Sequence, residues 1–184
     1  KKHVINYHFK EEGEVIGSVT LRLDATVLGL GILAEDSGYE VKQGQPASYV
    51  VKEFLEDNGF PASYSGSLDV GFYLQRIRCS DAFSGAAIPE ELQTLLTLDG
   101  LTVRQPEGYK DSLGEFDYTQ GSGWMCAVNG YYPGRGLSNV FLGDGDVVTI
   151  AFTLAYGKDI GGADAANVRG NLRTYCGTWL GDRY

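Results

Sequence analysis

Residues 121–136 read GSGWMCAVNGYYPGRG, and this stretch decides most of what the sequence predicts. It is typical of a strand that runs into an aromatic-rich loop. The chain then returns through 143–146, which read GDGD, into a second strand over 147–154. Asp-Gly is among the strongest short signals for a hairpin turn. We therefore predict a rigid strand–loop–strand unit with aromatic side chains in its loop, which favours binding over catalysis.

The first strand of this unit has two faces. Trp124 and Cys126 share one face, and Met125 and Ala127 share the other, because side chains alternate along a strand. A tryptophan between a glycine-rich entry and an apolar strand is most often a core anchor. An exposed Trp124 is the alternative.

The loop carries the residues that are hardest to explain as core, namely Tyr131, Tyr132, Pro133 and Arg135. Rigid aromatic side chains beside an arginine are typical of a recognition tip, since they give contact area at low entropic cost. Alternatively, the rings fold back over an edge of the sheet. The pattern favours neither interpretation.

Two other segments are clearly periodic. Residues 19–24 alternate between apolar and polar side chains and predict a half-buried strand. Pro46 opens a helix that Asn58 and Gly59 end. Shorter strands are expected at 4–9, 39–41 and 70–77. The apolar stripe of the helix consists of Ala47, Val50, Val51, Phe54 and Leu55.

Residues 80–114 are predicted to be an inserted helix–loop segment at one edge of the domain, with a short helix from Ile88 to Leu96. The order of strands, one helix and further strands favours an α+β fold, a β-grasp-like mixed sheet crossed by one main helix. We place an N-terminal strand segment at 1–16, the main domain at 17–162 and a C-terminal tail or extension at 163–184.

Composition narrows the possible partners. The 184 residues carry a net charge of −9, and their fifteen lysines and arginines are scattered. Nucleic acid is excluded as a partner, because phosphate neutralisation needs clustered cations. No apolar run approaches the roughly 20 residues that span a bilayer. We therefore predict no membrane span in this chain.

No pattern of catalytic or metal-binding residues is found. The two histidines, His3 and His8, point to opposite faces of a predicted strand and cannot share a metal ion. Asp144 and Asp146 lack the remaining ligands of a calcium loop and suit a turn instead. We predict a non-enzymatic protein with no catalytic residues, no metal and no obligatory cofactor.

Three cysteines, Cys79, Cys126 and Cys176, leave at least one thiol unpaired. Their spacing matches no zinc or redox motif. A Cys79–Cys126 disulfide is one interpretation. The other is that these residues are small buried apolar side chains.

The same motifs carry a family resemblance. The chain resembles uncharacterised bacterial surface domains grouped with the C-terminal domain of transcobalamin and intrinsic factor, over residues 17–162. The motifs that carry the resemblance are VTLRLDATVL at 19–28, the helix after Gly44, GSGWMCAVNG at 121–130, LGDGDV at 142–147 and FTLAYGKD at 152–159.

The resemblance implies an extracellular or cell-envelope protein, typically of gut Firmicutes, with a β-grasp-like domain. In the vitamin carriers the equivalent hairpin covers one face of cobalamin. Carried over to this chain, a corrinoid would bind through the hairpin at 124–136. The alternative is a structural or adhesive surface module that contacts protein or glycan. The implied ligand-facing residues are Ala127, Tyr131, Tyr132, Pro133 and Arg135.

Overall fold

The structure is a computed structural model that describes Phe9 and residues 13–105 and 111–162. The predicted strand at 4–9 (except Phe9), both histidines, Cys176 and the tail at 163–184 lie outside the described residues. The fold is α+β, as predicted, with two α-helices and two β-sheets in the described part of the chain.

Seven strands and two helices follow one another in the described residues. The strands are β1 (Val15–Asp24), β2 (Ile32–Lys42), β3 (Ala62–Ser65), β4 (Tyr73–Arg78), β5 (Ser112–Gly114), β6 (Gly123–Val128) and β7 (Val147–Thr153). The helices are α1 (Ala47–Asp57), which lies between β2 and β3, and α2 (Glu90–Leu98), which lies between β4 and β5.

The larger sheet is mixed and has the order β2-β1-β7-β6. β1 pairs antiparallel with β2 and parallel with β7. Val19, Leu21 and Leu23 of β1 are buried, which confirms the predicted half-buried strand. The two central strands thus come from opposite ends of the described chain, and β2 and β6 form the two edges.

Helix α1 packs its predicted apolar stripe into the core. Ala47, Val50, Val51, Phe54 and Leu55 are all buried, as the helical spacing requires. Pro46 lies just before the helix as its N-cap residue rather than within the first turn.

The expectation of a single sheet is corrected. β3, β4 and β5 form a separate antiparallel sheet, in which β4 is central. β4 begins at Tyr73 rather than at Val70, whose side chain is exposed. A three-residue strand such as β5 has no periodic pattern of its own, because only its pairing with β4 makes it a strand.

Residues 80–114 belong partly to the core. The predicted short helix is confirmed as α2, with Glu90 and Glu91 in its first turn, where carboxylates complement the helix dipole. This segment also supplies β5. Its buried side chains are Phe83, Ile88, Leu92, Leu96, Leu101 and Leu113.

Candidate functional site

The predicted hairpin is present. β6 and β7 pair antiparallel, and Trp124 lies opposite Phe152. Their rings meet edge to face, with centroids 5.2 Å apart. Asn129 occupies a left-handed conformation at the end of β6. Its side chain donates to Asp146 and accepts a hydrogen bond from the Val147 amide, both at 2.9 Å, so it joins the two strands of the hairpin.

The carboxylates of the 143–146 turn bind backbone amides. Asp146 accepts a hydrogen bond from the Gly143 amide at 2.8 Å, and Asp144 accepts one from the Ser18 amide at 2.9 Å. The prediction that these residues serve a turn is confirmed. Within the described residues, no group of three or more His, Cys, Asp or Glu side chains is placed to hold a metal ion.

Trp124 is a core anchor, the first of the two predicted alternatives. Its side chain is 6% exposed. The indole Nε1 donates a hydrogen bond to the Leu113 carbonyl in β5 at 2.9 Å. This bond ties the hairpin to the second sheet, because β5 belongs to that sheet.

The two loop tyrosines have opposite environments. The prediction of an exposed ring holds for one of them, and the alternative of a ring that folds back holds for the other. Tyr131 is 75% exposed at the tip. Tyr132 folds back and is 7% exposed, and its hydroxyl donates to the Ile160 carbonyl at 3.3 Å. Because a loop has no periodic pattern, the sequence does not show which of two adjacent loop tyrosines is buried.

The other residues that the resemblance implies to face the ligand also differ in exposure. Ala127 is fully buried, so its side chain is not part of the protein surface. Pro133 is half-buried and Arg135 is exposed. The structure brings Tyr132, Pro133 and Arg135 to one cleft and leaves Ala127 and Tyr131 outside its lining.

This cleft lies between the two sheets and has a volume of about 160 Å³. It is lined by residues 72–74, by residues 124–126 and by residues 132, 133 and 135–137 of the loop. We refer to it as the hairpin cleft. The lining segment 72–74 was missed from the sequence, because its alternating pattern predicts a strand but not which strand it faces.

Cys126 lines this cleft as a thiol. Burial raises its pKa to about 12, so the side chain stays protonated near neutral pH and is a poor nucleophile. Cys79 and Cys126 are both free. The predicted alternative of a disulfide between them is therefore wrong. The interpretation as small buried apolar side chains holds in part, because both residues pack against the core but are only partly buried.

A buried aspartate, Asp159, binds the end of β7 and the turn that follows it. Asp159 accepts hydrogen bonds from the Thr153 hydroxyl and, at 2.7 Å, from the Leu154 amide. Burial raises its pKa to about 6 in spite of these bonds. The turn that it fixes also contains Gly157, where the Cβ atom of any larger residue would lie 2.6 Å from the Met125 sulfur. The turn therefore packs closely behind the cleft.

No helix in the described residues is long and apolar enough to cross a membrane. A scan against models of known protein families finds no match, and a search of curated proteins finds none either.

Proposed function

We propose that this protein is a non-enzymatic interaction module of the cell surface or extracellular space, with a β-grasp-like arrangement of its larger sheet and α1. In this proposal the hairpin cleft receives one apolar side chain of a partner protein. Exposed Tyr131 and Arg135 contact the partner around it.

The size and lining of the cleft carry the proposal. Small-molecule sites usually occupy about 300–1,000 Å³, whereas the hairpin cleft has about 160 Å³. A space of this size suits a single anchoring side chain. Tyrosine and arginine are enriched among residues that dominate binding energy at protein interfaces. Arg135 lines the cleft, Tyr131 directly precedes the lining residue Tyr132 in the chain, and both are exposed.

A corrinoid is the second candidate, and the exposed Tyr131 at the hairpin tip favours it. A flat macrocycle lies across a surface and does not need a deep cavity. Ala127 would contribute no exposed surface to such a ligand and Tyr132 very little, because both are buried. We therefore place the protein partner first.

The single methionine of the chain gives a direct test, because Met125 lines the cleft. Peptides selected from a random display library on the full chain would be titrated into protein labelled with ¹³C at the methionine methyl group. We expect selected peptides to share an apolar anchor and to shift the Met125 resonance. Tyr131→Ala and Arg135→Ala should each weaken binding about tenfold, which corresponds to about 1.4 kcal/mol.

Phe141→Ala is the matched control, because Phe141 is an exposed aromatic residue of the same hairpin that does not line the cleft. It should leave peptide affinity unchanged. Cobalamin is titrated in parallel and followed by tryptophan fluorescence. Saturable cobalamin binding without peptide-induced shifts at Met125 would favour the corrinoid. Failure of both ligands would overturn the proposal.

A further inference from the structure

The outer edge of β2 has no partner strand among the described residues. β2 is the last strand of the larger sheet and pairs only with β1. Residues 35–38 are exposed. The Lys42 amide donates to the Gln45 side chain at 2.9 Å, which closes one end of the edge. A row of free backbone donors and acceptors on such an edge is a template for another strand.

A groove of about 770 Å³ lies between this edge and α1. One side is formed by residues 36–42 of β2 and the other by the exposed side of α1. Phe9 and Tyr49 also line the groove, with ring centroids 5.0 Å apart and ring planes inclined at 65°. The open edge over 36–41 is roughly 20 Å long at the usual rise per residue, which is enough for a short extended peptide.

The charges of this groove are mostly negative. Its carboxylates are Asp36, Glu40, Glu53, Glu56 and Asp57, and its lysines are Lys42 and Lys52.

Only some of these charges are compensated. Lys52 forms an ion pair with Glu56 at 2.5 Å, and Asp57 accepts the Tyr39 hydroxyl at 2.9 Å. Asp36 and Glu40 make no ion pair with any described residue. Burial, with repulsion from Asp57, raises the pKa of Glu53, although the positive charge of Lys42 acts in the opposite direction. The groove therefore holds negative charge that a positively charged ligand would neutralise.

We propose that this groove binds an extended segment of a partner protein that carries lysine or arginine side chains, added as a strand to the free edge of β2. Strand addition supplies main-chain hydrogen bonds, and side-chain pockets supply the selectivity. The acidic lining selects a basic segment, since complementary charges steer and orient association. This surface is distinct from the hairpin cleft, which lies at the opposite edge of the sheet.

A bulge makes the edge selective. The pairing of β1 with β2 shifts by one residue between Val19 and Leu21, where Gly38 adopts a left-handed conformation. Bulges twist an edge strand and disfavour pairing with a regular strand. A segment that binds here must follow this local shape.

The test uses the full chain and a labelled six-residue peptide of alternating lysine and valine with blocked termini. Binding is measured by fluorescence anisotropy at low salt. Two N-methylated versions of the peptide are prepared, each methylated on every second backbone amide. In one version the methyl groups replace the N–H donors that face β2, and in the other they replace the donors that face away. We expect the first version to bind at least tenfold more weakly and the second to keep its affinity. A peptide with glutamate in place of lysine should not bind.

The protein variant Asp36→Asn/Glu40→Gln should weaken peptide binding about three- to tenfold, and added salt should reduce this difference. The control Glu90→Gln/Glu91→Gln removes the same charge from α2, outside the groove. It should bind like the unmodified protein. The proposal is overturned if both methylated versions bind equally, or if the two variants lose affinity to the same extent. Neither outcome bears on the Met125 test of the hairpin cleft.

Discussion

The two edges of the larger sheet differ in chemistry although they share the same central strands. At the β6 edge, Trp124 is buried and is hydrogen-bonded to β5 of the second sheet. At the β2 edge, residues 35–38 are exposed and α1 leaves an acidic groove beside them. We call the β6 edge closed because the Trp124 side chain joins it to the second sheet, although β6 is also a terminal strand. We call the β2 edge open because, among the described residues, β2 pairs with no strand other than β1.

This difference suits each edge to one of the two proposed kinds of binding, side-chain anchoring at β6 and strand addition at β2. A surface that is held by buried contacts can present a few rigid side chains, such as Tyr131, without reorganisation. An open strand edge offers the backbone itself, which any sequence can pair with, so its selectivity must come from charge and local shape. Stability and pH measurements can separate the two edges.

The largest expected effect is at the closed edge. Trp124→Ala removes a buried indole and should lower the free energy of unfolding by about 3–5 kcal/mol. Trp124→Phe keeps most of the apolar contact but leaves the Leu113 carbonyl without its donor, and should cost about 1–3 kcal/mol. Urea denaturation measures both changes.

The counterpart at the open edge is Ile32→Ala, since Ile32 of β2 is 52% exposed. Exposed substitutions usually change stability by no more than about 0.5 kcal/mol. A loss at Ile32 as large as that at Trp124 would break the distinction between the two edges.

The effect next in size to that of Trp124→Ala concerns the buried carboxylate of Asp159, in the turn that follows β7. Because the pKa of Asp159 is raised to about 6 in the folded protein, its protonated form favours folding. The contribution is fully present below about pH 4, near the unfolded value, and is lost as the pH rises through about 6. A shift of this size corresponds to about 2–3 kcal/mol.

Asp159→Asn does not titrate, so the free energy of unfolding of the unmodified protein should fall relative to that of the variant between about pH 4 and pH 7. The variant also disturbs the hydrogen bonds to Thr153 and Leu154, which lowers its stability at every pH. The change in the difference with pH is therefore the informative quantity. Parallel pH curves would contradict the raised pKa.

The smallest effect is expected at the open edge. Asp36→Asn/Glu40→Gln removes two uncompensated charges and should raise the free energy of unfolding by no more than about 0.5 kcal/mol at low salt. The pKa of Tyr39 is raised to about 12 by burial, by the hydrogen bond and charge of Asp57 and, to a lesser extent, by Asp36, so it should fall only slightly in this variant. Urea denaturation and a spectroscopic titration of tyrosine measure these changes. A marked loss of stability would show that these charges support the fold.

The sequence predicts the elements whose signal is local. The apolar stripe of α1 and the alternation over 19–24 each repeat with one period, and all their predicted inward residues are buried. The hairpin carries its own turn residues, Asp144 and Asp146, which bind the backbone as expected. These features depend mainly on contacts within a single element or turn, although Asp144 also binds the Ser18 amide of β1.

The remaining features depend on which elements meet. β5 is a strand only because β4 pairs with it. The hairpin cleft needs residues 72–74 opposite 124–126, and no periodic pattern links these segments. The acidic groove forms where β2, a terminal strand among the described residues, lies beside α1. Tyr131 and Tyr132 are neighbours in the chain, but only tertiary packing buries one and exposes the other.

The parallel pairing of β1 with β7 has a consequence for biosynthesis. Thr20 pairs with Val147, so the centre of the sheet cannot form until the ribosome has released most of the described chain. Until then the apolar faces of β1 and α1 lack their final partner. Contacts so distant in sequence slow folding and prolong exposure to aggregation. A nascent chain that ends before β7 should therefore remain dependent on chaperones, even though α1 and the β1–β2 pair are already complete.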